Sequence, residues 1–132
     1  MPVPPPVQMS HIDHVVLTVA DVEITLAWYQ RVLGMKAESY GQGRRALVFG
    51  KQKLNVHPKD NDFDPKAAAP TLGALDLCLI SSTPLTKVLE HFKNQRVKVE
   101  KGPVKRMGVG GLITSVYIRD PDGNLIEISN LG

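Results

Sequence analysis

Apolar and polar residues alternate along this chain in two rhythms, one of period two and one of helical period. Residues 12–19, IDHVVLTV, are rich in β-branched side chains and predict a strand. Asp21 then offers a helix N-cap, and VEITLAWYQRVL predicts a helix over 22–33 ended by Gly34 at the C′ position. Residues 35–40 predict a second strand. Gly41 and Gly43 mark the turn after it, and 46–49 with 53–57 predict a hairpin around Gly50-Lys51-Gln52. The order then recurs. LDLCLI at 75–80 predicts a strand, and Ser82 or Thr83 can cap a helix with Pro84 at its first position. Leu85, Val88, Leu89 and Phe92 form one apolar stripe on that helix. Residues 97–101 predict a strand, and Gly102, Gly108, Gly110 and Gly111 a flexible loop. Residues 113–119 and 125–130 predict a hairpin around Asp120-Pro121-Asp122-Gly123, which has strong turn chemistry.

The pattern is βαβββ written twice, an α+β fold of paired modules with the helices outside. A shift of 62 residues carries His14 onto Asp76, Val15 onto Leu77, Leu17 onto Leu79, Ala37 onto Val99 and Glu38 onto Glu100. After a longer second hairpin, Leu54-Asn55-Val56 matches Ile126-Glu127-Ile128. Agreement in element order and strand polarity supports a duplication. Module one is expected at 11–58, a Pro- and Ala-containing linker at 59–72, and module two at 73–132.

Composition narrows the class without naming a function. The 132 residues, 42% hydrophobic and 22% charged, suit one globular domain with a sizeable core. No apolar run approaches the ~20 residues of a membrane span. The single cysteine, Cys78, allows no intrachain disulfide, which points to a reducing, cytoplasmic setting. Sixteen Lys and Arg against thirteen Asp and Glu give a net charge of +3. The basic residues are scattered, so a nucleic-acid partner is not expected, whereas an anionic small molecule is compatible. Residues 1–10 carry four prolines and no charge, and read as a flexible extended arm without the pattern of a secretory leader.

Side chains alternate across a strand, so the aliphatic faces can cover the helices while the opposite faces collect His14, Asp76, Glu127, Asn55 and His57. Two carboxylates gathered together call for a shared cation or for one of them to be protonated, and imidazole with carboxylates suits a divalent metal. The expected ligands are His14, His57, Asp76 and Glu127. Asn55 is the alternative in the fourth strand, favoured by the internal match, while His57 is the better donor. Each residue alone has a plainer reading: a structural histidine, exposed strand acids, turn residues for Asp120 and Asp122, and a small buried hydrophobe for Cys78. Trp28 and Tyr29 pack the helix, and Arg44, Arg45, Lys105 and Arg106 are solvated loop charges unless they meet substrate. The joint occurrence is what raises the metal reading.

These residues carry a family resemblance. HIDHVVLTVADVEITLAWYQRVLGM resembles the opening of vicinal oxygen chelate proteins (glyoxalases, bleomycin-resistance proteins, dioxygenases), and DPDGNLIEISN resembles their closing hairpin. Within that superfamily KLNVHPKDNDFDPKA, LDLCLI and EKGPVKRMGVGGLITSVYIRDPDGNLIE are most similar to the glyoxalase domain-containing protein 5 group. The resemblance implies paired βαβββ modules forming an open, cup-shaped mixed sheet around a divalent metal (Mn, Fe, Ni, Co or Zn). It also implies homodimers, in some members with the metal site shared between chains. His14, Asp76 and Glu127 fall on its ligand positions, Asp76 standing where many members have His. The expected function is a metal-dependent enzyme of glyoxalase type, a lyase or isomerase, acting on a small oxygenated substrate. Glu127 or His57 would move the proton. The alternatives are a metal-free, drug-sequestering binder, which the 5% aromatic content disfavours, an extradiol-type dioxygenase, and a partner-binding subunit docked through the arm.

Overall fold

In the computed structural model, residue 3 and residues 5–132 are described. The chain order is β1 (His14–Val19), α1 (Val22–Leu33), β2 (Lys36–Tyr40), β3 (Arg44–Phe49), β4 (Gln52–Pro58), β5 (Asp76–Ile80), α2 (Leu85–Asn94), β6 (Lys101–Gly108), β7 (Gly111–Arg119) and β8 (Leu125–Leu131). The strands form two four-stranded mixed sheets of matching order, β1-β4-β3-β2 and β5-β8-β7-β6. In each, the first strand runs parallel to the last and the remaining pairs are antiparallel. This is the α+β fold of paired modules read from the sequence. Of the N-terminal arm, Met1, Pro2 and Pro4 lie outside the described residues, and the rest adopts no helix or strand and is exposed.

Local chemistry sets most element ends. The Asp21 carboxylate accepts from the Ile24 N–H at 3.0 Å, and Gly34 closes α1 with φ 65° and its N–H donating to the Gln30 carbonyl. α2 departs from expectation. Pro84 is its N-cap residue rather than its first turn, with ψ 139°, and neither Ser82 nor Thr83 caps the helix. The Leu85 N–H donates instead to Asn130 Oδ1 at 2.7 Å, a cap supplied from β8.

The sixth strand is a second correction. Residues 97–100 are not a strand, and the glycine-bearing segment expected as a flexible loop is β6 itself. Gly102 has φ 110°, and a Cβ there would stand 2.4 Å from the Ser115 carbonyl oxygen, so only glycine lets β6 come this close to β7. The pairing slips between Lys101 and Val104, a bulge that absorbs Gly102 and Pro103. Gly108 then pairs with Gly111 around the two-residue turn Val109-Gly110.

Each helix buries one stripe against one sheet. Leu26 and Tyr29 of α1 pack on Leu17, Val19, Leu47, Leu54 and Val56. Leu85, Val88 and Phe92 of α2 pack on Val116, Ile118, Ile126 and Ile128. Val32 belongs to the second cluster, and Trp28, Leu33, Leu77 and Leu79 touch both, so the two cores are continuous. A buried polar tie joins them. The Tyr29 hydroxyl donates to Asp120 Oδ2 at 2.6 Å, Asn124 Nδ2 donates to the same oxygen at 2.8 Å, and Asn124 Oδ1 accepts from the Leu75 N–H at 2.9 Å. Burial and the Asp120 carboxylate push the Tyr29 phenol far above its ordinary value, so it stays a donor. Tyr29, Asp120 and Asn124, read from sequence as packing and turn residues, thus fasten module one to module two.

Candidate functional site

With the helices on one face, each sheet turns its other face outward, and strand register fixes what stands there. On the first sheet that face carries His14, Val16 and Thr18 of β1, Lys53, Asn55 and His57 of β4, Arg44 and Ala46 of β3, and Glu38 and Tyr40 of β2. On the second it carries Asp76, Cys78 and Ile80, Glu127 and Ser129, and Ser115 and Tyr117. The registers superimpose. Val16 stands opposite Asn55 as Cys78 stands opposite Glu127, and His14 and Asp76 each begin their strand. Asn55 is therefore the counterpart of Glu127, and His57 the counterpart of Ser129. The 62-residue shift holds from β1 to β5 and fails at the second strand: Glu38 pairs toward the position that Tyr117 and Lys101 occupy in module two, so its counterpart is Lys101, not Glu100.

The second face gathers Asp76 and Glu127 around Cys78. Cys78 Sγ lies 3.4 Å from Ser129 Oγ, and Ser129 Oγ lies 2.6 Å from Ser115 Oγ. Cys78 is exposed rather than the buried hydrophobe expected; its partial desolvation pushes the thiol up against the lowering effect of the Ser129 hydrogen bond, and the Glu127 and Asp76 carboxylates add to the rise, so it is a protonated thiol at neutral pH, not a nucleophile. Arg106 Nε donates to the Tyr117 hydroxyl at 2.9 Å. This face is partly hydrogen-bonded to itself, through these five side chains.

The first face is not. His14 is exposed, its Nδ1 2.9 Å from Asp13 Oδ1. Asn55 and His57 are buried, yet Asn55 Oδ1 and His57 Nε2 have no hydrogen-bond partner. Phe63, from the segment joining the modules, stands edge-on to the His57 ring at 4.7 Å, and the Arg44 guanidinium lies 3.8 Å above the same phenyl ring. Burial first, and the Arg44 charge second, hold the His57 imidazole below 6.5.

Among the described residues no three His, Cys, Asp or Glu side chains stand together closely enough to hold a metal ion. His14 and Asn55 lie on one sheet, Asp76 and Glu127 on the other. His57 does not join His14: it pairs with Thr18, four residues along β1 from the level of His14. That is about 13 Å of strand, too far for two imidazoles on one rigid sheet to share an ion. The structure thus places His57 apart from His14, while Asn55 stands at the strand level that Glu127 occupies in module two. A cleft of 730 Å³ behind β5 contains Cys78, Ile80 and His91 but none of the predicted ligands.

The family model of the Glyoxalase/Bleomycin resistance protein/Dioxygenase superfamily matches residues 11–128. The chain belongs to that superfamily. Among members, "Virulence protein STM3117" of Salmonella typhimurium is 50% identical over 121 residues, 92% of this chain and 84% of that protein. "Glyoxalase domain-containing protein RDO1" of Mycosarcoma maydis is 45% identical over 119 residues, 90% and 67% of the two chains. An integron cassette protein of Vibrio cholerae superimposes with a TM-score of 0.94 at 52% identity, covering 96% of this chain and 98% of its own. For this glyoxalase-superfamily chain, no helix among the described residues is long and apolar enough to cross a membrane. The Phe63 contacts were missed from sequence because 59–72 reads as a spacer. The lone aromatic in that polar stretch was the available signal.

Proposed function

We propose that this chain is a divalent-metal-dependent enzyme of the glyoxalase-type lyase or isomerase class, acting in the cytoplasm on a small oxygenated substrate, and that each site is completed by a second copy. The observation that carries the reading is the matched register of the two outward faces, with His14 and Asn55 on one and Asp76 and Glu127 on the other. The donor chemistry, one imidazole and two carboxylates, fits a divalent ion. The donors are divided within a chain, so the fit needs the first sheet of one copy to face the second sheet of another. The surface supports this. The chain exposes 8909 Å², against roughly 6,900 Å² for a globular monomer of its mass, and part of the excess is the N-terminal arm. β1 and β5 are edge strands with Val16 and Ile80 open to solvent, a combination that another chain commonly covers.

In this reading His14, Asp76 and Glu127 hold the ion, which when bound would supply Lewis-acid polarisation of adjacent substrate oxygens. Glu127, half-buried beside Tyr117, accepts and returns the substrate proton. The finer assignment to the glyoxalase domain-containing protein 5 group belongs to the same proposal. A metal-free binder is the second reading, favoured by the unpartnered polar groups of the first face.

Elemental analysis of protein purified without chelator tests the ion, and a content below about a tenth of an equivalent with no uptake on re-addition rejects it. Mixing tests the sharing. His14→Ala and Glu127→Ala should each lose the metal. An equimolar mixture, unfolded and refolded together, should recover about a quarter of the wild-type content, because half the dimers are mixed and each has one intact site. A site built within one chain recovers none.

A further inference from the structure

The polar groups of the first face are unusually disengaged. Arg44 lies on the Phe63 ring at 3.8 Å and Lys53 on the Tyr40 ring at 4.1 Å. Each cation is thus held by an aromatic wall while its N–H donors stay free. Neither has a carboxylate within 4 Å among the described residues, although Glu38 shares the face. Between them on β4 stand Asn55 and His57, both more than nine-tenths buried, each with a polar atom that nothing in the chain satisfies. Buried polar atoms are rarely left this way without a ligand or ordered water to meet them. Ala46 lies under the diagonal between Tyr40 and Lys53, so the Lys53 side chain crosses a methyl group where the second sheet carries Tyr117.

We propose that this face is an oxyanion subsite, in which Arg44 and Lys53 take the carboxylate or phosphate oxygens of a ligand and Asn55 and His57 receive its neighbouring polar atoms. The inference rests on the reading of this face as the ligand side of the site, and it gives the substrate a class: a small molecule with an anionic group some distance from the atoms that react. A planar guanidinium forks onto two oxygens of one anion, and the ammonium adds a second charge to the same end. His57, kept neutral, retains one donor and one acceptor for uncharged substrate oxygens.

The experiment is a titration of the full-length protein with inorganic phosphate, with acetate, and with neutral acetamide, read from the Asn55 side-chain amide and His57 ring resonances in NMR spectra. Saturable shifts are expected with phosphate or acetate and not with acetamide, and the anion that saturates identifies the group. Arg44→Gln should weaken that binding at least about tenfold. Lys53→Met carries the same expectation should Arg44→Gln fail to fold. The metal and anion readings separate cleanly. His14→Ala should lose metal and keep the anion titration, and Arg44→Gln should keep metal and lose the titration. Equal shifts with acetamide, unchanged affinity in the folded Arg44 or Lys53 variant, or anion binding that vanishes with His14→Ala would each overturn the subsite.

Discussion

His57 shows how strand register can separate side chains that share one face. It shares a strand face with Asn55 and is the stronger donor, which made it the natural fourth ligand. Register moved it four residues from His14, and Phe63 covers its ring. Its imidazole titrates below 6.5 in the folded chain and at the ordinary value in the unfolded one, so the unfolded state binds the proton first as pH falls. The histidine therefore favours the fold above pH 6.5 and loses that contribution as acid is added. Urea unfolding at stepped pH should show stability declining below about pH 6.5. His57→Gln should flatten the decline, and an equal decline in the variant would remove the assignment. That His57 was strand-borne and on the face opposite the helices was legible. That an aromatic from the connecting segment would sit on it was not, because no local pattern links Phe63 to β4.

At the scale of elements, periodicity and cap chemistry located both helices and seven of the eight strands, with ends shifted by a residue or two. The exception is instructive. The glycines from 102 to 111 read as loop because their local preference is against a sheet, and in β6 a bulge at Gly102 and Pro103 reconciles the segment with pairing. Tertiary contact decided the outcome: the Ser115 carbonyl sits where a side chain would be. Gly102→Ala should cost at least about 2 kcal/mol by strain and clash together. Chemical denaturation measures it. Gly110→Ala, with open space around it, is the control expected to change little. Asn130 capping α2 from β8 was likewise beyond local reading, since the two are joined only by the folded sheet.

For the whole molecule, the duplication was visible in the sequence and the register confirms it at β1, β4, β5 and β8. What the repeat did not reveal is how the copies have specialised. The first face holds Arg44 and Lys53 against aromatic rings, and the second carries Asp76 and Glu127 beside the hydrogen-bonded Cys78, Ser129 and Ser115. The copies are joined by the Tyr29 hydroxyl on the Asp120 carboxylate. Tyr29→Phe leaves that buried carboxylate one donor short and should lower stability by about 1.5–3 kcal/mol, read from equilibrium unfolding monitored at Trp28. A single cooperative transition is expected in wild type and variant alike.

That phenol–carboxylate bond has a consequence for dividing the chain. The bond crosses between the halves, so a chain cut within residues 59–72 keeps it only while the two pieces stay associated. The two halves are therefore not equivalent: one carries the phenol that donates and the other the carboxylate that accepts.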